Sequence, residues 1–305
     1  MILLSICIPT YNHDCYLRKM LSQLTSLESF GNGEMEIIIS DNASSDDTRS
    51  IGENFAHKFP GTVKYFRNET NICDKNFEKA LSHGNGLFLK LANDTLLFSE
   101  QGIEVLLDTI RKYSIDKPVL FFSNSSPNQS CKKVFSFDEF FNIVSFHSTW
   151  IGSFGIWRSD FLRLKDFSRK SCLQLAQVDV LCRMLNEKRF AIVEEFNICS
   201  LMPRDVIGGY NLSKVFGNNY FTIIGEYVSN SVFSKKAFIL ERYRMLRYHI
   251  LPFYIKISKH NSFPKTGYVK YLLKWCWRFP LYWAAMPFVI ISGIVASILS
   301  MKSGR

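Results

Sequence analysis

Two carboxylates stand where a chain of alternating strands and helices can do chemistry. Asp41 closes the apolar run Met35-Glu36-Ile37-Ile38-Ile39-Ser40 and opens the polar cluster Asp41-Asn42-Ala43-Ser44-Ser45-Asp46-Asp47-Thr48. An acid at this point of a βαβ unit is suited to reading a ribose or a base. The alternative role is a helix N-cap, but Ser44, Ser45, Asp46 and Asp47 already supply caps. Asp94 follows the apolar run Leu87–Ala92 in the triplet Asn93-Asp94-Thr95. A carboxylate there, on the same edge as Asp41, can hold a divalent ion, since Mg²⁺ takes only one or two protein carboxylates beside phosphate oxygens and water. Such an ion would neutralise a diphosphate leaving group. The other reading of Asp94 is a cap for the next helix. A third polar turn, Pro9-Thr10-Tyr11-Asn12, ends the first apolar run. No G-x-G-x-x-G or Walker A pattern occurs, so phosphates are not cradled by a Gly-rich loop of those kinds.

These turns need strands to carry them. Hydrophobic periodicity predicts strands at Ile2–Ile8, Met35–Ser40, Val63–Phe66, Leu87–Ala92 and Pro118–Ser123. It predicts helices over His13–Leu27, Thr48–Lys58, Asp74–Ser82 and Ser99–Tyr113. Alternation of this kind implies an α/β fold with a doubly wound, mostly parallel sheet whose strand ends share one edge. Beyond Asn124 the pattern loosens. Phe135–Val144 is an aromatic cluster, and Phe146–Arg158 reads as a loop because Gly152 and Gly155 lie between Trp150 and Trp157. Those two Trp are either a sugar-stacking platform or core. A helix is expected at Cys172–Lys188, a strand at Phe190–Glu194, and helices from Tyr220 to His249.

Charge divides the chain in two. Thirteen of the 37 Lys and Arg, but only Glu241 among the 27 acids, fall between Lys235 and Arg305, so that segment carries +12 and the remainder −2. An anionic membrane surface or nucleic acid is the partner this asymmetry suggests. The bases flank an uncharged apolar run, Phe279–Leu299, about 30 Å long as a helix. Upstream, Tyr268–Arg278 interleaves aromatic and basic residues as a membrane interface favours. A membrane is therefore preferred to nucleic acid, with Pro280 and Pro287 leaving a spanning or an interfacial placement open. If it spans, the charge excess orients the catalytic part towards the cytoplasm. Eight scattered cysteines without a C-x-x-C pair, and an N-terminus without a basic leader, point to reduced thiols in a cytosolic compartment.

Ile8-Pro9-Thr10-Tyr11-Asn12 and Ser40–Thr48, with the spacing onward to Asn71, Asn76, Ala80, Gly84 and Asp94, resemble the opening motifs of family-2 glycosyltransferases. The likeness covers residues 1–125 closely and 126–215 loosely, and is nearest to enzymes building bacterial O-antigen or capsule repeat units. It implies the GT-A fold, a single Rossmann-like sheet for nucleotide sugars. By this resemblance Pro9, Thr10 and Tyr11 line the nucleotide pocket, Asp41 meets the base, Asn71 belongs to the donor site, and Asp94 falls in the Asp-x-Asp region that binds metal and ribose. The triplet here holds one carboxylate where the family commonly has two or three. The family inverts the anomeric centre with a general base in a Glu-Asp pattern on a later helix. Gln177-Val178-Asp179 resembles that pattern without its Glu, making Asp179 the base and Arg183 its neighbour one turn on. The competing role for Asp179 is a surface ion pair with Arg183. Glu194 and Glu195 are reserve candidates. Arg204 and Lys214, in a loop with Gly208 and Gly209, are suited either to closing over the donor diphosphate or to solvation.

The resulting expectation is a nucleotide-sugar-binding catalytic domain at 1–215 and a helical membrane-associating segment at 216–305. The activity expected is transfer from a nucleotide-diphosphate sugar to a lipid-linked glycan, with Mg²⁺ or Mn²⁺ at Asp94, on the cytoplasmic face of the bacterial inner membrane. The alternative is a non-catalytic sugar-nucleotide-binding or scaffold protein of an envelope polysaccharide assembly. Nucleic acid is not an expected partner.

Overall fold

The computed structural model describes residues 1–123, 129–203, 210–252 and 267–281, with 283, 284 and 287 beyond them. In chain order the strands and α-helices are β1 (Leu4–Thr10), α1 (Asp14–Leu24), β2 (Met35–Asp41), α2 (Thr48–Lys58), β3 (Val63–Arg67), α3 (Lys75–Ser82), β4 (Phe88–Leu91), β5 (Leu96–Phe98), α4 (Glu100–Lys112), β6 (Val119–Ser123), β7 (Ser130–Val134), α5 (Phe137–Val144), β8 (Gly155–Trp157), α6 (Arg158–Arg163), α7 (Ala176–Glu187), β9 (Ala191–Glu195), β10 (Cys199–Leu201), α8 (Leu212–Lys214), α9 (Tyr220–Ser229), α10 (Lys235–Arg244) and α11 (Tyr268–Cys276). The chain forms two compact units. One comprises Met1–Phe135, Trp150–Cys172 and Arg183–Pro203; the other comprises Ser136–Thr149, Leu173–Cys182 and Arg204–Arg305.

The first unit is built on a five-stranded sheet of order β3-β2-β1-β4-β8. Its first four strands are parallel and β8 runs antiparallel at the edge. The central strands are buried almost throughout, which is why β1 and β2 read as continuous apolar runs rather than alternating ones. Leu17, Met20, Leu21 and Leu24 of α1 and Ile103, Leu106, Leu107 and Ile110 of α4 belong to the same core. α2 begins where Asp46 takes the backbone N–H of Thr48 at 3.1 Å, and the other oxygen of Asp46 takes the N–H of Asp14 at the start of α1. One side chain thus starts two helices on the same edge.

The mostly parallel α/β architecture expected from the sequence is present, but the fifth predicted strand is not part of this sheet. β6 pairs with β9 in a separate three-stranded sheet, with β7 antiparallel on the other side of β9. The edge beside β4 is taken by Gly155–Trp157, inside a stretch that reads as loop. Trp157 is core and not a sugar platform: its ring packs 5.2 Å from Phe88, and its indole N–H donates to the Pro118 carbonyl at 2.6 Å. β4 also carries Lys90, fully buried, whose ammonium donates to the carbonyls of Gly152 and Leu91. Burial pushes its pKa down to about 8. This lysine fastens β4 to the segment that leads into β8.

The second unit is helical, with an aromatic interior. Phe137 stacks 4.9 Å from Tyr227, and Phe141 and Phe238 lie 5.1 and 6.0 Å from Phe233. Glu241 is buried there and accepts from the Tyr220 hydroxyl at 2.9 Å. In α11, Leu272 and Cys276 are buried, while Lys270, Leu273, Lys274, Trp277 and Arg278 are exposed in and just beyond it. No helix among the described residues is long and apolar enough to cross a membrane. Most of the apolar run Phe279–Leu299 lies outside the described residues, as does Arg204. All eight cysteines are free thiols.

Candidate active site

The register of the parallel strands decides which side chains meet. Thr10 is level with Asp41, and Asp41 with Arg67. The carboxyl ends of β1, β2 and β3 therefore present a hydroxyl, a carboxylate and a guanidinium side by side. Just past these ends the chain turns through Asn12 and Ala43, both left-handed at φ 52° and 64°. The turns lock together: the Asn12 N–H donates to Ser44 Oγ at 2.9 Å, and the Ser45 N–H donates to Asn12 Oδ1 at 2.8 Å. Ala43 pays for this geometry with strain of about 1 kcal/mol, because its Cβ crowds the following carbonyl.

Asp41 is completely buried. One oxygen accepts the Ser44 N–H at 2.9 Å; the other accepts the Tyr65 hydroxyl and an Arg67 N–H, each at 2.6 Å. Burial, then the carboxylate, pushes the Tyr65 phenol well above its usual range. Arg67, a third exposed, also donates to the Ser44 carbonyl. Beside this group runs a chain of amides. Asn42 donates to Asn71 at 2.8 Å and accepts from Asn68 and the Ile72 N–H, and Asn68 donates in turn to Asn76.

Asp94, in the turn that follows β4, is also buried, with its carboxylate accepting the Thr10 hydroxyl at 2.7 Å. Its second partner is His13, whose Nδ1 lies 3.0 and 2.9 Å from the two oxygens. The His13 side chain is 43% exposed and Asp94's only 8%. Among the described residues no group of three His, Cys, Asp or Glu side chains converges as a closed metal centre does. What is present is one carboxylate, one imidazole and the adjacent Asn93, whose Oδ1 is buried without a hydrogen-bond partner. That donor set fits an ion which takes most of its ligands from phosphate oxygens and water.

Of the residues the sequence singles out, the first unit bonds Thr10 to Asp94 and sets it level with Asp41, with Pro9 beside it in β1, the exposed Tyr11 just past the strand and Asn71 bonded to Asn42. Asp179 and Lys214 belong to the second unit. Asp179 is fully buried in α7, so the surface ion pair weighed for it is not its setting. Arg183 donates to the carbonyls of Lys165 and Asp166. Lys214 is exposed at the end of α8, its N–H capped by Asn211. Glu195 is tied to Lys132 and to Ser130 Oγ, both at 2.5 Å; burial raises its pKa, but these partners bring it below the ordinary carboxylate value. His13, Tyr65 and Arg67 are the site residues that sequence reasoning missed. Arg67 could have been found from its place at the end of a predicted strand; His13 gives no local signal.

The likeness to known proteins follows the same edge. Over 85 residues the chain is 40% identical to abequosyltransferase RfbV of Salmonella typhimurium, covering 28% of this chain and 25% of that protein. Over 93 residues it is 33% identical to the GalNAc(5)-diNAcBac-PP-undecaprenol beta-1,3-glucosyltransferase of Campylobacter jejuni, covering 30% and 29%. The chain thus spans between a quarter and a third of these curated relatives. Mannosyltransferase PcManGT from Pyrobaculum calidifontis, solved with GDP-Man and Mn²⁺, superposes with a TM-score of 0.55 at 12% identity, over 99% of this chain and 88% of that one. S. aureus TarS with UDP-GlcNAc gives 0.52 at 13%, over 85% of each. These likenesses agree with the α/β, GT-A-like architecture. The family model described as glycosyl transferase family 2 matches residues 5–168, more than half of the sequence, and the chain belongs to that family.

Proposed function

We propose that this chain is an inverting glycosyltransferase that moves a sugar from a nucleotide-diphosphate donor to a lipid-linked glycan in bacterial O-antigen or capsule synthesis. The carrying observation is the joined edge in which Thr10 holds Asp94 while Tyr65 and Arg67 hold Asp41, in a chain of this family. Residues 1–215 would bind the donor and do the chemistry. Pro9, Thr10, Tyr11 and Asn71 would line the nucleotide, and Asp41 with Arg67 would read its base or ribose. Lys214 and Arg204 would meet the diphosphate. A divalent ion held at Asp94, Mg²⁺ or Mn²⁺, would neutralise charge on the leaving diphosphate. The acceptor hydroxyl attacks the anomeric carbon, the bond from that carbon to the diphosphate oxygen breaks, and the nucleoside diphosphate leaves. Asp179 is the proposed base for the hydroxyl proton; because it is buried in the free chain, acceptor binding must expose it.

The names of the relatives support the acceptor class, one of them being a transferase acting on an undecaprenol-linked glycan. The exposed Trp277 beside Lys270, Lys274 and Arg278 supports 216–305 as the membrane-associating segment, and with it the cytoplasmic face of the inner membrane. One observation favours the non-catalytic alternative: the candidate base is wholly enclosed. Transfer from a panel of nucleotide sugars to lipid-linked acceptors decides between the two. Turnover that falls 10²–10⁴-fold in Asp179→Asn, with donor binding kept, is expected. Donor binding without turnover of any pair would leave the binding-protein reading.

A further inference from the structure

His13 lies just past Ile8-Pro9-Thr10-Tyr11-Asn12, and the sequence reads it only as the first residue of a helix. The fold nevertheless aims its ring nitrogen at Asp94, 81 positions away. Its backbone, at φ −134° and ψ 41°, is outside the helix, following left-handed Asn12, and it gives no side-chain cap to α1. The ring is braced edge-on by Tyr16, 5.6 Å between centroids. The turn that orients His13 is the same one locked to Ser44 and Ser45.

Nδ1 lies 2.9–3.0 Å from the Asp94 oxygens. Two neighbouring ligands of an octahedral ion with bonds of about 2.1 Å stand about 3 Å apart. The pair is therefore spaced as two cis ligands as well as a hydrogen bond. Thr10 donates to Oδ2, which fixes the carboxylate from behind, as outer partners of metal ligands do. The ring's exposure leaves the remaining positions open to phosphate oxygens and water.

We infer that His13 Nδ1 and Asp94 together form a mixed imidazole–carboxylate site for a first-row divalent ion such as Mn²⁺, one that discriminates against Mg²⁺. This rests on the reading of Asp94 as the ion-binding carboxylate of the donor site. In the loaded site the neutral imidazole carries its proton on Nε2, leaving the Nδ1 lone pair for the ion. Mg²⁺ prefers oxygen, whereas imidazole favours transition ions. The histidine thus supplies the second protein ligand that the single-carboxylate triplet Asn93-Asp94-Thr95 lacks.

The test uses the full chain, with Mn²⁺ alone and with UDP, GDP or CDP, followed by electron paramagnetic resonance. Expected are Mn²⁺ binding that Mg²⁺ competes for poorly, and nitrogen modulation from a directly bound imidazole. In His13→Gln the modulation should vanish and Mn²⁺ affinity fall at least tenfold, with Mg²⁺ affinity changed less than twofold. His13→Asp should restore affinity without the nitrogen signal and raise Mg²⁺ binding. His13 is half-exposed, and equal melting temperatures check that the variants fold. Bound Mn²⁺ without nitrogen coupling, equal affinity in His13→Gln, or no Mn²⁺ binding under any condition would overturn the inference. If the chain still binds a nucleotide and transfers sugar, those results leave the glycosyltransferase reading intact. Nitrogen-coupled Mn²⁺ with no nucleotide bound would instead leave this site standing and remove that reading.

Discussion

Glu36 in β2 and Asp94 in the turn after β4 are both buried carboxylates, and the fold treats them in opposite ways. Glu36, in the amino-terminal half of β2, accepts from Ser5 Oγ at 2.6 Å, the Asn85 N–H at 2.5 Å and Lys64 at 2.7 Å. Burial, which alone would raise its pKa, is outweighed by the bonds from Lys64, Ser5 and Asn85. Asp94, at the carboxyl-terminal edge, has Thr10 on one side and the half-exposed His13 on the other. A buried charge enclosed by its own chain fixes strand positions. One whose partner is a 43%-exposed imidazole rather than a 28%-exposed ammonium is the more open to a ligand.

The contrast is broken most directly at Glu36. Glu36→Ala strands the Ser5 hydroxyl, the Asn85 N–H and the Lys64 ammonium together, and breaking a buried pair costs about 3–5 kcal/mol. Urea unfolding should register that loss, while transfer per folded molecule stays unchanged. Asp94→Asn should do the reverse: turnover falls at least 100-fold, roughly 3 kcal/mol of transition-state stabilisation, with a midpoint close to wild type. Similar unfolding curves for both variants would erase the distinction.

Glu241 in the helical unit sharpens the comparison by its sign. It too is buried, but it has a phenol where Glu36 has an ammonium, and burial pushes its pKa up to about 7. A carboxyl raised in this way binds its proton more tightly when folded. Its contribution is complete below the unfolded value near 4.5 and is lost as pH rises through about 7. At 1.36 kcal/mol per unit the loss is about 3 kcal/mol. Glu36, lowered, behaves oppositely: its contribution is present above the unfolded value and disappears on acidification. Glu241→Gln should match wild type at pH 4 and exceed it at pH 8 by roughly that amount, measured as melting temperature across pH. Parallel pH curves would show that Glu241 ionises as it does in the unfolded chain.

The sequence carried the framework well where the signal was local. The start of α2 at Thr48 was legible from the polar cluster ahead of it, and the central strands from unbroken apolar runs. What it could not carry was pairing. Leu120, Phe121 and Phe122 look like any parallel strand, and nothing in them names Ala191–Glu195 as partner rather than β4. Leu96–Phe98 is too short for periodicity and exists by pairing with Cys199–Leu201. The same limit applies at the site. Asp41 and Asp94 stand out as acids ending apolar runs, and Arg67 was within reach as the residue closing a predicted strand, but Tyr65 becomes a site residue only through register and His13 only through the turn that aims it at Asp94.

The smallest expected effect tests how closed the Asp41 end of the edge is. Tyr65 reaches Asp41 over Gly52 of α2, where a Cβ would run into the phenol ring. The glycine is thus part of the carboxylate's enclosure, although it touches no charge. Tyr65→Phe removes one of three donors and leaves Arg67 and the Ser44 N–H. A hydrogen bond to a charged group is worth about 1.5–3 kcal/mol, and with two donors remaining the lower figure applies. Gly52→Ala, by displacing the ring, should cost at least as much without deleting any polar atom. If Tyr65→Phe also weakens nucleotide binding several-fold while Gly52→Ala does not, the hydroxyl itself meets the nucleotide. If both weaken it equally, Tyr65 acts by holding Asp41, and Asp41 resembles Glu36 in its closure while sharing an edge with Asp94.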